Sequence, residues 1–339
     1  MFNPHLYLQP YHEGDLSNYR FLVTGGAGFI GSNLVEYLLR YGAGQVRVLD
    51  NFSNGYRENI DEFLGLPNFE LMEGDIRDLE TCRKAVDGMD FVSHQAALGS
   101  VPRSITDPIT TNEVNIGGFL NMLVAARDSS SCKRMVYAAS SSTYGDSTEL
   151  PKVEGREGKP LSPYAITKAV NEEYARVFSD VYGFHTIGLR YFNVFGPKQN
   201  PKNPYAAVIP IFCKHFIEGT RPTIFGDGET SRDFTFVENA VQANIKVFEL
   251  AELGSHEVCN MACGDQVSLN EMIRMLAEIS GKDIQPIYGP ERKGDVKHSK
   301  ASITKTQNLL NYYPKFHFEE GLQITYQDYL ASLQIVTRK

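Results

Sequence analysis

Between Thr24 and Asn33 the chain reads Gly25-Gly26-Ala27-Gly28-Phe29-Ile30-Gly31-Ser32, a glycine-dense turn between two patterned stretches. The run before it, Tyr19 to Thr24, suits a short buried parallel strand. Asn33 to Tyr41 after it has helical periodicity, and Gln45 to Leu49 reads as the next strand. A glycine cluster by itself is weak evidence, but a strand before it and a helix and second strand after it complete a βαβ unit, which makes it a strong dinucleotide-binding signal. Gly25 permits the tight turn, Gly28 lets backbone approach a pyrophosphate, and Gly31 permits close helix packing. The second strand ends in Asp50, where a carboxylate accepts hydrogen bonds from the adenosine ribose hydroxyls and repels a 2′-phosphate. Asn51-Phe52-Ser53 follows, with no arginine, so the expected dinucleotide is NAD rather than NADP.

The alternation continues with strands at Asn68 to Glu73, Phe91 to Ala97, Arg134 to Ala139 and His185 to Leu189, and helices at Thr111 to Asp128 and Tyr164 to Tyr182. This predicts an α/β fold, a Rossmann doubly wound parallel sheet with helices on both faces. Asp75 follows the third strand, placed either to meet an adenine amino group or to cap the next helix. His94 lies within the fourth strand and reads as a satisfied core histidine. Leu98-Gly99-Ser100 is a small-residue loop that admits a close ligand. Beyond Asn200 the prolines at 201, 204, 210 and 222 divide the chain into short elements. Glu238 to Leu253 reads as a helix and His256 to Ala262 as a strand returning to the sheet. Ser268 and Glu271 form a capping box for a helix to Ser280. The expected organisation is an arm (1–19), a dinucleotide domain (20–194, with 234–262 returning to it) and a smaller C-terminal α/β substrate domain (195–233 and 263–339).

A chain of 339 residues exceeds one small core. Its net charge of -8 argues against nucleic acid as a partner. Cys82, Cys132, Cys213, Cys259 and Cys263 are scattered through apolar segments, which fits reduced thiols in the cytoplasm, and no zinc spacing accompanies them. Residues 1–19 lack a signal-peptide pattern and no window approaches 18 uninterrupted apolar residues, so no membrane span is expected.

Pro163 starts a helix that sets Tyr164 and Lys168 one turn apart on the same face. A free phenol, with a pKa of about 10, is a poor base at neutral pH, and a nearby ammonium favours the phenolate. By itself the pair is also what an ordinary helix surface shows. Ser140-Ser141-Ser142-Thr143, at the carboxyl end of a central strand, is either a ligand-facing hydroxyl cluster or a polar turn.

Taken together, TGGAGFIG, Asp50, GDIRD, the serine turn, SPYAITK, RYFNVFGP and TSRDF resemble the extended short-chain dehydrogenase/reductase family of nucleotide-sugar enzymes. The resemblance runs over nearly the full length after residue 19. The acid-free serine turn is unlike that of dehydratases, which carry an Asp-Glu pair there, and of decarboxylases, which carry a Glu. It looks like that of NAD-dependent UDP-sugar 4-epimerases. AALGSVPRSI, YAASSSTYGD, NPYAAVIP and GDVKHS look closer to the bacterial UDP-GlcNAc/UDP-GalNAc 4-epimerases that supply surface polysaccharide synthesis. The uronic-acid and UDP-Glc/UDP-Gal epimerases are the neighbouring alternatives. A dehydratase and a non-catalytic NAD-sensing module come from other classes.

The resemblance implies Tyr164, Lys168 and Ser140 as catalytic groups. It extends the cofactor site from Gly25, Gly28, Gly31, Asp50 and Asp75 to Phe29, Ile30, Asn51, Ser53, Gly55, Ile76, Gln95, Ala96, Ala97, Tyr191 and Val194. On the substrate side it implies Ser100, Ser141 and Ser142 as hydrogen-bond partners of the sugar or its N-acetyl group, and Asn193, Ala207 and Val208 along the sugar and diphosphate path. Arg232 and Arg292 are implied on the diphosphate, and Asp295 on the uridine ribose. Ser299 falls at the family's substrate gate, where a tyrosine restricts other epimerases to unacetylated sugars; Ser302 departs from an Asp usual in relatives. A homodimer through helices near Leu120 and Tyr174 is also implied.

Overall fold

The computed structural model describes residues 2–200, 207–291 and 297–337, with the side chains of the last helix described as far as Ser332. Strands β1 (Arg20–Thr24), β2 (Gln45–Asp50), β3 (Phe69–Glu73), β4 (Phe91–His94), β5 (Arg134–Ser140) and β6 (Thr186–Tyr191) alternate with helices. These are α1 (Phe29–Arg40), α2 (Leu79–Val86), α3 (Val101–Thr106), α4 (Pro108–Asn112), α5 (Phe119–Asp128) and α6 (Pro163–Tyr182). Later strands are mostly short: β7 (Val194–Phe195) pairs with β10 (Thr235–Phe236), β8 (Thr223–Phe225) with β13 (Ile287–Gly289), and β9 (Ser231–Arg232) with β12 (Val267–Ser268). The exception is β11 (Glu257–Met261), which returns to the main sheet beside β6. Helices α7 (Val208–Glu218), α8 (Val237–Glu249), α9 (Leu269–Ser280), α10 (Thr304–Leu310) and α11 (Phe318–Thr337) complete the chain.

The main sheet has the order β11-β6-β5-β4-β1-β2-β3, with all pairings parallel. Its strands are apolar on both faces, because side chains alternate across a pleat. Phe21 and Val23 join the core under α1 and α8, while Leu22 joins the one under α2, α5 and α6. Val136 and its neighbours Met135 and Tyr137 divide in the same way. The chain winds outward from β1 to β3 and then crosses to β4 on the other side of β1. That reversal opens a crevice at the carboxyl ends of the strands, where doubly wound sheets bind ligands.

Some boundaries differ from the sequence reading, for local reasons. Helix α1 begins at Phe29, not Asn33, because Gly28 itself serves as its N-cap. Helix α8 stops at Glu249, short of Leu253; Arg134 Nη1 donates to the Val247 and Leu250 carbonyls at 2.8 and 2.6 Å and so closes its end. Strand β4 ends at His94, three residues early, and the predicted helix from Thr111 is interrupted by a π-helical turn, Glu113–Gly118. The capping box at Ser268 and Glu271 is present.

The arm is not a loose leader. Leu6, Tyr7, Tyr11 and Leu16 are buried. The Tyr7 hydroxyl donates to Asn33 Oδ1 at 2.8 Å on α1, and Glu238 on α8 accepts from the Tyr7 amide at 3.1 Å and from the Tyr11 hydroxyl. All five cysteines are free thiols, each held near pKa 12 chiefly by burial. Among the described residues no helix is long and apolar enough to cross a membrane, and no cluster of ligating side chains suits a metal.

Candidate active site

A cleft of about 450 Å³ opens at the crevice between β1 and β4, and every residue expected at the cofactor lines it. Its volume lies within the ~300–1,000 Å³ usual for small-molecule sites. At one end the glycine turn comes close to the chain after β4. Gly25 has φ +67°, and a Cβ there would lie 2.8 Å from the Ala96 backbone. A Cβ on Gly31 would lie 2.2 Å from the Gly25 carbonyl oxygen, so this glycine lets the helix start fold back on the turn itself. Asp50 is held by backbone: its two carboxylate oxygens accept from the Ala27 amide at 2.9 Å and the Phe52 amide at 2.8 Å. Burial raises its pKa, and amide donors work against that. Asp75 accepts from Asn51 Nδ2 at 2.9 Å and pairs with Arg77 at 2.8 Å, whose hydrogen bonds hold it down to about 2. A backbone cradle that tolerates no Cβ, with a fixed carboxylate at the end of β2, fits NAD.

At the other end, α6 delivers Tyr164 and Lys168. Ser162 Oγ accepts from the Ala165 amide at 3.1 Å, Pro163 occupies the first turn, and Gly183 closes the helix in a left-handed conformation. Lys168 is buried and donates to the Ala138 carbonyl at 2.7 Å, with its Nζ 6.0 Å from the Tyr164 ring centre. Burial lowers Lys168 to about 8, against the pull of Glu172. Tyr164 is half-buried in the cleft wall; burial raises its phenol and the Ser140 hydroxyl works the other way. The lysine is therefore not the main influence on the phenol of the protein alone, contrary to the simple reading of the i, i+4 pair.

Ser140 and Ser141 line the cleft beside this pair. Ser142 lies one hydrogen bond behind, its Oγ 2.9 Å from Ser140 Oγ and its amide donating to Ser140 at 3.2 Å. Ser100 Oγ caps α3 by accepting from the Arg103 amide at 3.2 Å. Asn193, at φ +38°, lines the cleft and donates to the Asp233 carbonyl at 3.0 Å. Arg232 Nη1 donates to the carbonyls of Ser231 and Lys297. The Ser299 amide donates to the Ser231 carbonyl at 3.1 Å, next to an isolated bridge between Ser231 and His298, so the segment carrying Ser299 runs beside β9. Ala207 and Val208 form the start of α7. Arg292 and Asp295 lie outside the described residues.

Two groups escaped the sequence reading. Asn115, in the π turn, exchanges hydrogen bonds with the Leu98 backbone (2.8 and 3.2 Å) and donates to Thr167 Oγ1 at 3.1 Å, tying the cleft loop to α6. The clue was the Gly117-Gly118 pair inside a helical run: a Cβ on Gly118 would meet Ile76 at 2.5 Å. Asp233, fully buried, accepts from the amides of Cys263, Gly264 and Ala301 at 3.0 to 3.1 Å and anchors the segment that carries Ser299. His94 is a core residue: its Nδ1 lies 2.8 Å from Thr24 Oγ1 and burial pushes it down to about 3.

The model of the NAD-dependent epimerase/dehydratase family matches residues 21–262. The chain belongs to that family. Among solved structures it is similar to a UDP-N-acetylglucosamine 4-epimerase from Methanobrevibacter ruminantium in complex with UDP-N-acetylmuramic acid (36% identity, TM-score 0.87). It is similar also to the UDP-glucose 4-epimerase of Thermotoga maritima with UDP-glucose (36% identity, TM-score 0.86). Each match covers 93% of this chain and 99% of the other. A Bacillus cereus UDP-glucuronic acid 4-epimerase, in complex with UDP-glucuronic acid and NAD, is 31% identical at TM-score 0.84, with the same coverage. As a member of the NAD-dependent epimerase/dehydratase family, within its UDP-sugar 4-epimerase group, the enzyme takes NAD as its cofactor.

Proposed function

We propose that the enzyme interconverts UDP-GlcNAc and UDP-GalNAc by inversion at C4 through a 4-keto sugar. The observation that carries the epimerase part of this reading is the cleft wall beside Tyr164 and Lys168, where Ser140 and Ser141 stand; the acids lining the described cleft are Asp50 and Asp75, both at the adenosine end. A dehydratase needs an acid and a base at the sugar, and this wall supplies hydroxyls instead. Bound NAD supplies the hydride acceptor at C4 and, in the return step, the donor. Tyr164 takes the proton of the 4-hydroxyl and later gives one back. Its phenolate is reached against burial with the help of Ser140, of the Lys168 ammonium and of the positive charge of the oxidised cofactor. Ser142, through its two bonds to Ser140, steadies the hydroxyl that faces the reacting oxygen.

The diphosphate is assigned to Arg232 together with Arg292, the uridine ribose to Asp295, and the sugar path to Ser100, Asn193, Ala207 and Val208. The small, half-buried Ser299 supports admission of an N-acetyl group. Such a gate is one-sided, since a small residue rejects the smaller sugar only weakly. A homodimer is supported by α6, which exposes Ile166, Val177 and Val181 along its outer side. Val177→Glu with Val181→Glu then yields a monomer by light scattering; an unchanged assembly removes this face. For the substrate, UDP-GlcNAc, UDP-Glc and UDP-GlcNAcA are incubated separately and the products resolved by NMR. The reading expects UDP-GalNAc to form fastest, whereas preferential turnover of the uronic acid would reassign the enzyme to that branch.

A further inference from the structure

Four polar side chains meet behind the cofactor cleft, where β4, β6 and α8 come together. Gln95 and Tyr191 line the cleft, whereas Asn244, on α8, has no exposed surface. Asn244 Nδ2 donates to the Tyr191 hydroxyl at 2.8 Å, and that hydroxyl donates to Gln95 Oε1 at 3.1 Å. Gln95 Nε2 donates back to Asn244 Oδ1 at 3.1 Å, which closes a ring. Ser93 Oγ accepts from Gln95 Nε2 at 2.8 Å and donates to Asn244 Oδ1 at 3.1 Å. The second Asn244 amide hydrogen goes to the Ala240 carbonyl at 2.8 Å. Both amide hydrogens and both acceptor positions of this side chain are in use.

The neighbours of Asn244 along α8 include Ala240, Val241, Ile245 and Phe248, all buried. For packing alone a leucine of similar volume would serve, and a buried amide is costly unless all of its polar atoms are satisfied. What the amide adds is a direction for two side chains of the cleft. Without it Gln95 and Tyr191, both part-buried in the cleft wall, each have one fixed partner fewer, and orientations that intrude on the cleft become accessible. We infer that Asn244 is a positioning residue for the cofactor, locking Gln95 and Tyr191 into one rigid wall so that NAD stays seated through repeated sugar exchange. It touches neither cofactor nor substrate. The inference rests on NAD occupying this cleft and is independent of which UDP-sugar is turned over.

The test uses the full-length enzyme with Asn244→Leu, Tyr191→Phe and the double variant, following release of bound labelled NAD into excess unlabelled NAD. Release at least tenfold faster is expected in each single variant, with Asn244→Leu turnover recovering when NAD is added. The double variant should release no faster than the faster single one, because both substitutions cut the same ring. A purely structural Asn244 lowers Tm but leaves NAD release at the wild-type rate; that result, or effects that multiply in the double variant, overturns the inference. Should Asn244→Leu not fold, wild-type release from Tyr191→Phe overturns it equally. Asp50→Ala separates the underlying reading: if it too holds NAD as the wild type does, the cleft assignment itself fails and the inference falls with it.

Discussion

Lys168 sends its ammonium to the carbonyl of Ala138, 2.7 Å away, and not to the Tyr164 phenol one helical turn before it. The Ala138 carbonyl, two residues before the end of β5, fixes the lysine in a buried place where its charge is costly, and its pKa falls to about 8. The same placement keeps a cation within 6.0 Å of the phenol ring centre. The role proposed for Lys168 thus runs against local stability.

That cost has a sign in pH. The unfolded lysine titrates near 10.4, so below pH 8 both states are protonated and the folded enzyme bears the full penalty, about 3 kcal/mol. Between pH 8 and about 10.4 the unfolded chain binds the extra proton, and folding stability rises. Lys168→Met, without cofactor, is expected to melt above the wild type at pH 7, with the advantage shrinking as pH passes 8. A variant that melts below the wild type at pH 7 would show that the bond to Ala138 outweighs the buried charge.

Tyr164→Phe removes the proposed base while leaving the glycine cradle and Asp50 intact. Turnover is expected to fall by about 10³-fold or more, with NAD content of the purified enzyme unchanged. Near-normal epimerisation would remove Tyr164 as the base.

Ser299→Tyr adds bulk at a segment held rigidly by Asp233 and the Ser231 backbone. The ratio of kcat/KM for UDP-GlcNAc over UDP-Glc should drop by about 10–100-fold, read from parallel initial rates. An unchanged ratio would take Ser299 out of sugar selection.

Gly31→Ala places a methyl group 2.2 Å from the Gly25 carbonyl oxygen, a contact with backbone on both sides. The expected cost is about 1–3 kcal/mol or more in folding, together with weakened NAD binding by calorimetry. Full NAD affinity in the variant would mean that the turn is not as tightly closed as described.

The parts of this site that were legible in the sequence are those written locally. The glycine turn, Asp50 and the Tyr164–Lys168 helix each depend on residues within a turn or one βαβ unit, and their spacing carries the geometry. Asn244 was not legible because α8 breaks the usual pattern: Glu238, Asn239, Gln242 and Asn244 are polar yet nearly inaccessible. Periodicity assigns such residues to a solvent face, whereas here Glu238 accepts from the arm, Asn239 and Gln242 donate to the backbone connecting α10 and α11, and Asn244 donates to the cleft wall. The docking of the arm and the three-amide grip of Asp233 likewise join residues far apart in the chain. No local pattern encodes such pairings.

The most direct test of the central claim is to convert UDP-GlcNAc deuterated at C4 in ordinary water and read the UDP-GalNAc product by NMR and mass spectrometry. The account predicts that deuterium is retained at C4 and that no NADH accumulates, because the hydrogen leaves the sugar and returns to it within one cofactor-bound cycle. Loss of the deuterium to solvent, or a keto sugar released with stoichiometric NADH, would contradict it.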